Sequence, residues 1–274
     1  MIRYRRAVTT PDEYQRLVAE ATSAATSGWD FGWLAGRAES TDLPWSYPDL
    51  ATALLASPRT GDAGRVLDLD TGGGELLASL APPAGRTVAV EGWAPNVDVA
   101  THRLAPLGVE VVAAQAADRL PLPDRTFDLV LNRHGRLCAP EIARVLRPGG
   151  RLLTQQVGSD DCTDLNTALD APPTHPTPWN LAIATAALTA AGLRVVDAQE
   201  ARPTLTFADI GAVVFHLRMV AWQVPDFDLR RYDGPLRRLH AAIQRDGHCR
   251  VRTHRFLLVA ELDHQDGCTR PLAG

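Results

Sequence analysis

Three stretches of the chain combine residue types that do chemistry. Asp68-Leu69-Asp70-Thr71-Gly72-Gly73-Gly74 follows the apolar run Arg65-Val66-Leu67 and leads into Glu75-Leu76-Leu77. A strand that feeds a glycine-rich turn and then a helix brings backbone close to a ligand and points free amide N–H groups toward it. Nucleotide sites of several kinds share this arrangement. The dinucleotide fingerprint G-x-G-x-x-G fits poorly: Gly72 and Gly74 serve, but the third glycine position holds Leu77. Glu91 lies 19 residues after Gly72, at the end of the next apolar run. An acid there can accept both hydroxyls of an adenosine ribose. Asn132-Arg133-His134-Gly135 closes the run Phe127–Leu131 with an amide, a guanidinium and an imidazole. Imidazole titrates at about pH 6.5, so His134 is the expected proton acceptor if the reaction needs one.

Aromatic residues form a fourth group. Residues 28–48 hold Trp29, Phe31, Trp33, Trp45 and Tyr47, punctuated by Gly32, Gly36, Pro44 and Pro48, and half of the six tryptophans fall there. Such a segment is either a packed lid or an irregular part of the core. Trp33, Trp45 and Tyr47, with His216 and Trp222 from a later helical stretch, are expected to make an apolar, aromatic acceptor pocket; His216 can also simply pack. Asp160-Asp161-Cys162-Thr163-Asp164 places three carboxylates close together. That suits a hard cation or a solvated loop; the loop is expected, and no metal. The cysteines, Cys138, Cys162, Cys249 and Cys268, make no C-x-x-C pair and no zinc-like spacing. They fit a reduced, cytoplasmic setting.

The elements that must position these residues follow from the apolar pattern. Thr10-Pro11-Asp12 opens a helix that runs to Ser27 and ends at Gly28. Strands are expected at 65–69, 86–91, 109–114, 127–131, 151–157, 193–197 and 255–260. Helices begin at Glu75 and cover about 95–104, 140–146, 179–191, 210–220 and 229–244; residues 158–178 read as a loop. Strands that alternate with helices argue for parallel βαβ units and a doubly wound sheet. The expected division is 1–50 for the N-terminal helix and aromatic segment, 51–202 for the sheet core, 203–250 for an inserted helical cap, and 251–274 for the last strand and tail.

Four features in order resemble the class I S-adenosylmethionine-dependent methyltransferases: the loop Asp68 to Gly74; the acid Glu91; Leu120-Pro121-Leu122-Pro123-Asp124-Arg125-Thr126-Phe127-Asp128-Leu129-Val130; and Glu141-Ile142-Ala143-Arg144-Val145-Leu146-Arg147-Pro148-Gly149-Gly150. They span about residues 65–157. The resemblance implies an α/β, Rossmann-like, mostly parallel sheet whose last strand is antiparallel. It implies S-adenosylmethionine as cofactor, held by Asp68, Asp70, Gly72, Gly74, Glu91, Trp93, Ala116, Asp118 and Asn132, with Asn132 at the methionine end. Two positions depart from the family. Asp70 stands where the first loop glycine falls, and Ala116 where an acid often holds the adenine amino group, with Asp118 two residues on as its substitute.

Composition narrows the function. The chain of 274 residues carries 28 basic and 32 acidic residues, a formal charge of −4, and every basic residue is arginine. That balance offers no bulk attraction to nucleic acid. No apolar run approaches the length of a membrane span. The expected function is methyl transfer to a small-molecule acceptor by a monomer or homodimer. The alternatives are methylation of an RNA base, and non-catalytic binding of S-adenosylmethionine.

Overall fold

The computed structural model describes residues 11–26, 30–57, 60, 64–116, 119–174 and 177–263. In chain order these form α1 (Pro11–Ser23), β1 (Ala38–Ser40), α2 (Tyr47–Leu55), β2 (Val66–Leu69), α3 (Glu75–Ser79), β3 (Thr87–Glu91), α4 (Ala94–Leu104), β4 (Glu110–Ala113) and β5 (Phe127–Arg133). There follow α5 (Ala139–Val145), β6 (Leu146–Val157), α6 (Thr163–Ala168), α7 (Leu181–Ala190), β7 (Leu193–Ala201), β8 (Thr204–Phe207), α8 (Ile210–Met219), α9 (Asp233–Asp246), β9 (Cys249–Arg252) and β10 (Arg255–Leu262). The described residues fall into two compact units. A sheet unit is built from 44–158, 179–201 and 255–263, and a helical unit from 11–43, 159–178 and 202–254. These divisions differ from the expected ones: the first break comes before Pro44, residues 159–178 join the helical unit, and that unit extends to His254.

The sheet unit holds seven strands in the order β4-β3-β2-β5-β6-β10-β7. β10 alone runs antiparallel to its neighbours β6 and β7, and the other pairs are parallel. Chain order reverses between β2 and β5, so the crevice outside the carboxyl ends of those two strands is the expected ligand position in such a sheet. Leu69 pairs with Val90 on one side and Asn132 on the other, which aligns those strand ends. β3 is buried along its whole length. Helices cover both faces, and this is why the strands read as unbroken apolar runs. Leu67, Leu69, Phe127, Ile142, Leu146 and Phe256 are fully buried in this core.

Two family-like stretches are clamped together here rather than open to a ligand. Asp128 accepts the Arg65 N–H through Oδ2 at 2.6 Å and pairs with Arg147 through Oδ1 at 2.8 Å. Glu141 accepts the Leu120 N–H at 2.7 Å, while Arg144 donates to the Leu122 carbonyl and to Glu141 Oε2, both at 2.8 Å. Buried carboxylates and guanidinium groups are kept only where they are paired like this.

In the helical unit, β1, β8 and β9 form an antiparallel three-stranded sheet. α8 is buried at every position from Ile210 to Leu217, although its sequence reads as a one-sided amphipathic helix. It packs with α1 and α9 through Leu17, Ala21, Val213, Phe215, Leu236 and Ile243. The three short strands were not expected: they hold three or four residues each, mostly polar, and their pairing partners are distant in sequence. α6 lies within the expected loop, and α1 ends at Ser23 rather than Ser27. Gly28 and Trp29 are outside the described residues. Cys138, Cys162 and Cys249 are free thiols. Among the described residues, no helix is long and apolar enough to cross a membrane.

Candidate functional site

The turn after β2 is the first part of the site. Asp70, Gly72 and Gly74 all have left-handed backbone, with φ of 55°, 64° and 79°. Glycine adopts that region without strain, and aspartate more readily than most residues. Asp70 is held there by a long-range contact, because its Oδ2 accepts the Arg136 N–H at 2.8 Å. A side chain on Gly135 would collide with Asp70 Cβ at 2.6 Å, so a glycine is needed beside this aspartate. The Asp70 carboxylate therefore ties the β2 turn to the segment after β5.

Glu91 organises the next part. It is buried, with 5% exposure. Its Oε2 accepts the Gly72 N–H and its Oε1 the Trp93 N–H, each at 2.7 Å. The Gly72 amide, expected to be free, is thus already satisfied. An ionised carboxylate has about four acceptor positions. Two remain for donors such as ribose hydroxyls. Trp93, at the start of α4, is 57% exposed, an unusual state for an indole. Ala116 is buried in the sheet core, and Asp118 lies outside the described residues.

Asp68 sits half-buried on β2, close to the Asp70 and Glu91 carboxylates. Burial pushes its pKa up to about 7; the Thr71 hydroxyl opposes this, and the two neighbouring carboxylates add to it. A cationic ligand favours the ionised form. Its affinity therefore rises with pH up to about pH 7 and then levels off. The ratio of S-adenosylmethionine to S-adenosylhomocysteine affinity isolates the sulfonium charge, since both molecules carry the same amino group. We expect that ratio to rise by up to about ten-fold between pH 6 and 8, as one coupled proton requires. Calorimetry with both ligands at several pH values measures it, and a ratio independent of pH would separate Asp68 from the cation.

The ends of β5 and β6 correct two expectations. Asn132 has no exposed surface. Its Oδ1 accepts from Thr154 Oγ1 at 2.9 Å and from Gln156 Nε2 at 2.6 Å, and its Nδ2 donates to the Leu69 carbonyl at 3.4 Å. The side chain expected to contact the methionine end of a cofactor instead ties β2, β5 and β6 together. The Thr154-Gln155-Gln156 triplet was not singled out in the sequence. Three polar residues inside an otherwise apolar strand were the available sign, since buried polar groups must find partners.

His134, the expected base, has a left-handed backbone with φ 61°, and its N–H donates to the Gln155 carbonyl at 2.7 Å. Its Nε2 lies 2.8 Å from Gln155 Nε2, and Gln155 Oε1 lies 2.8 Å from the Trp45 indole nitrogen. An indole N–H only donates, which assigns the facing amide atom as oxygen and turns the amide NH2 toward the histidine. His134 Nε2 therefore accepts a hydrogen bond, and the ring hydrogen sits on Nδ1. Burial, then the charges of Arg255 and Arg133, push its pKa down to about 3. The hydrogen-bond donor at Nε2 acts in the same direction. An imidazole in this setting does not take a proton at neutral pH through Nε2.

The expected acceptor-pocket residues divide between the two units. In the sheet unit, Trp45 is buried at 9% exposure and bonded to Gln155, and Tyr47 is buried at the start of α2. Arg133 lies over the Tyr47 ring at 6.0 Å. Burial, then the charge of Asp68, hold the Tyr47 phenol well above its usual pKa, so it stays neutral. In the helical unit, Trp33 stacks on Phe215 with centroids 4.8 Å apart, and His216 packs edge-on against Phe207. Trp222 is 47% exposed. The acidic loop is internally satisfied: Asp161 accepts the His254 N–H at 2.8 Å, Asp164 pairs with Arg252 at 3.2 Å, and Asp160 pairs with Arg202 at 3.5 Å.

Known proteins agree with this geometry. Residues 67–154 match the family model described as a methyltransferase domain. The ubiquinone/menaquinone biosynthesis C-methyltransferase UbiE of Pseudomonas savastanoi pv. phaseolicola is 35% identical over 131 residues, which is 43% of this chain and 50% of that protein. The demethylmenaquinone methyltransferase of Clavibacter sepedonicus is 37% identical over 112 residues, 38% of this chain and 44% of that one. This chain thus spans about half the length of the curated relatives it matches. The crystal structure of the YcgJ protein from Bacillus subtilis has the same fold, with a TM-score of 0.53 at 18% identity over 79% of this chain and 99% of that one. The crevice at the β2 and β5 ends, the glycine turn pinned by Glu91 and these matches point the same way: residues 67–154 of this chain are similar to a methyltransferase domain.

Proposed function

We propose that the protein transfers a methyl group from S-adenosylmethionine to a small-molecule acceptor. The observation that carries this reading is the Gly72–Glu91–Trp93 arrangement: a carboxylate that pins a glycine turn, keeps two acceptor positions and stands beside an exposed indole. These residues fit an adenosine, with Glu91 on the ribose hydroxyls and Trp93 against the base. Asp68, Asp70 and Glu91 add negative charge that suits a sulfonium and an ammonium. S-Adenosylmethionine supplies an already activated methyl group. The work left to the protein is alignment, which is worth on the order of 7–11 kcal/mol in well-oriented systems. His134 is not assigned the role of base, and an acceptor that is a nucleophile without proton loss needs none. The net negative charge favours a small acceptor over RNA. Free thiols at Cys138, Cys162 and Cys249 suit the cytoplasm.

Calorimetry tests the cofactor. S-Adenosylmethionine and S-adenosylhomocysteine are expected to bind with a Kd of about 1 μM or tighter, equivalent to roughly −8 kcal/mol. Glu91→Ala should weaken that binding by about 1–3 kcal/mol, the scale of hydrogen bonds to a charged group. Unchanged affinity would remove Glu91 from the site, and tight binding of nicotinamide nucleotides would overturn the reading itself.

A further inference from the structure

His134 combines features that a merely structural residue does not need. Its ring is set by a relay in which Trp45 donates to Gln155 in a buried contact and Gln155 donates to Nε2 in a part-buried one. Gln155 is 2% exposed and Trp45 is 9% exposed, so water does not readily replace either partner. The residue at the end of this relay is nevertheless exposed, and its backbone is held in the left-handed region. Strain of that kind persists only where the surroundings over-determine it, and it clusters at ligand sites. Among the described residues, Nδ1 has no hydrogen-bond partner. The adjoining Gly135 lies against the Asp70 turn, so His134 stands at the β2 and β5 ends where ligands bind in such sheets. Arg133 and Arg255 both act on the ring, and the Asp70 carboxylate lies beside the adjoining Gly135. Arg133 lies over Tyr47 and, among the described residues, has no carboxylate within ion-pair distance.

An exposed histidine left to itself exchanges between tautomers and gains a proton at about pH 6.5. The relay removes the first freedom. A donor on Nε2 and two nearby guanidinium groups oppose the second. What remains is a fixed N–H on Nδ1 with two guanidinium groups acting on the same ring, a combination that suits an anionic oxygen.

We propose that His134 meets the acceptor as a hydrogen-bond donor through Nδ1–H, holding a negatively charged acceptor oxygen, and that Gln155 and Trp45 are the positioning residues that select this tautomer. The acceptor is then a molecule with a carboxylate, phenolate or enolate oxygen close to the atom that is methylated. This rests on the methyltransferase reading above, and the two fail separately: that reading fails if S-adenosylhomocysteine does not bind, whereas this one is read from the histidine ring.

The test uses the full chain labelled with nitrogen-15 in histidine and saturated with S-adenosylhomocysteine. The His134 signals are identified by their loss in His134→Gln. Nitrogen NMR should show hydrogen on Nδ1 throughout about pH 5.5 to 8.5, a range in which a free imidazole changes charge. Benzoate should shift that signal while neutral benzamide does not. Gln155→Glu replaces the donor by a carboxylate, which accepts from Trp45 and demands a hydrogen on Nε2. The ring should then change tautomer, and benzoate should bind at least about ten-fold more weakly, the scale of one charge-assisted hydrogen bond. Trp45→Phe removes the group that orients the amide; it should give a mixture of tautomers, and it carries the test if Gln155→Glu does not fold. A wild-type ring that protonates at about pH 6.5 overturns the proposal. So does a His134 signal unmoved by benzoate at up to about 50 mM, where even a Kd near ~1 mM is saturated. Benzoate that shifts the signal only when S-adenosylhomocysteine is left out overturns it as well, because the oxygen would then belong to the cofactor.

Discussion

Replacing Asn132 by leucine should lower the unfolding free energy by about 2–5 kcal/mol, since buried donors that lose their acceptor each cost roughly 1–3 kcal/mol. Asn132 Oδ1 is the common acceptor for Thr154 Oγ1 and Gln156 Nε2, and all three side chains are buried, with exposures of 0%, 0% and 4%. Leucine is similar in volume but accepts nothing. Gln156 keeps the Gly135 carbonyl at 3.1 Å, so part of its demand is still met; this keeps the expected cost below that of removing every partner. Urea unfolding with an unchanged m-value would report the loss as stability alone. Cofactor affinity of the folded fraction should change much less, because Asn132 presents no surface to a ligand. A variant as stable as wild type would show that the network is not what joins these strand ends.

Gly74→Val should cost a comparable amount and also disturb the turn that Glu91 pins. Gly74 has φ 79°, where a residue with a Cβ pays roughly 1–2 kcal/mol and a β-branched one more. A Cβ built there would lie 2.9 Å from Leu104 Cγ, and Leu104 is fully buried on α4. Overpacking of that kind adds about 1–3 kcal/mol. Gly74 also caps α3, accepting the Ala78 N–H at 2.9 Å, so the strain falls on the turn whose Gly72 amide Glu91 holds. Thermal unfolding measures the first effect and calorimetry with S-adenosylhomocysteine the second. Gly74→Ala should show the backbone cost with less of the steric one. If valine at this position left both stability and affinity unchanged, the left-handed turn would not be required.

Much of the sheet unit was legible in the residues themselves. The β2, β3 and β5 runs, the glycine turn and Glu91 are local patterns: each strand is a short apolar run buried on both faces, and each turn is marked by glycine. The helical unit was less legible. α8 reads as one-sided but is buried at almost every position, because α1 and α9 and the sheet residues around it cover the polar side as well. β1, β8 and β9 pair residues as far apart as Ser40 and Leu205, and no local pattern encodes such a pairing.

The site shows the same division residue by residue. Sequence alone determined that a glycine turn and an acid 19 residues later would stand at neighbouring strand ends, because strand length and turn chemistry are short-range properties. It could not determine what the polar side chains at those ends would do. Asn132 became an inter-strand tie, Asp70 a link to the Arg136 amide, and His134 a partner of the Gln155 amide through Nε2. Each outcome depends on a partner brought close by the tertiary structure: Thr154 and Gln156 opposite Asn132 by parallel pairing, the segment after β5 opposite Asp70, and Trp45 packed from before α2 onto Gln155, 110 residues away. A hydrogen-bonding group's role is set by which donor or acceptor faces it, and only the tertiary structure decides which one that is.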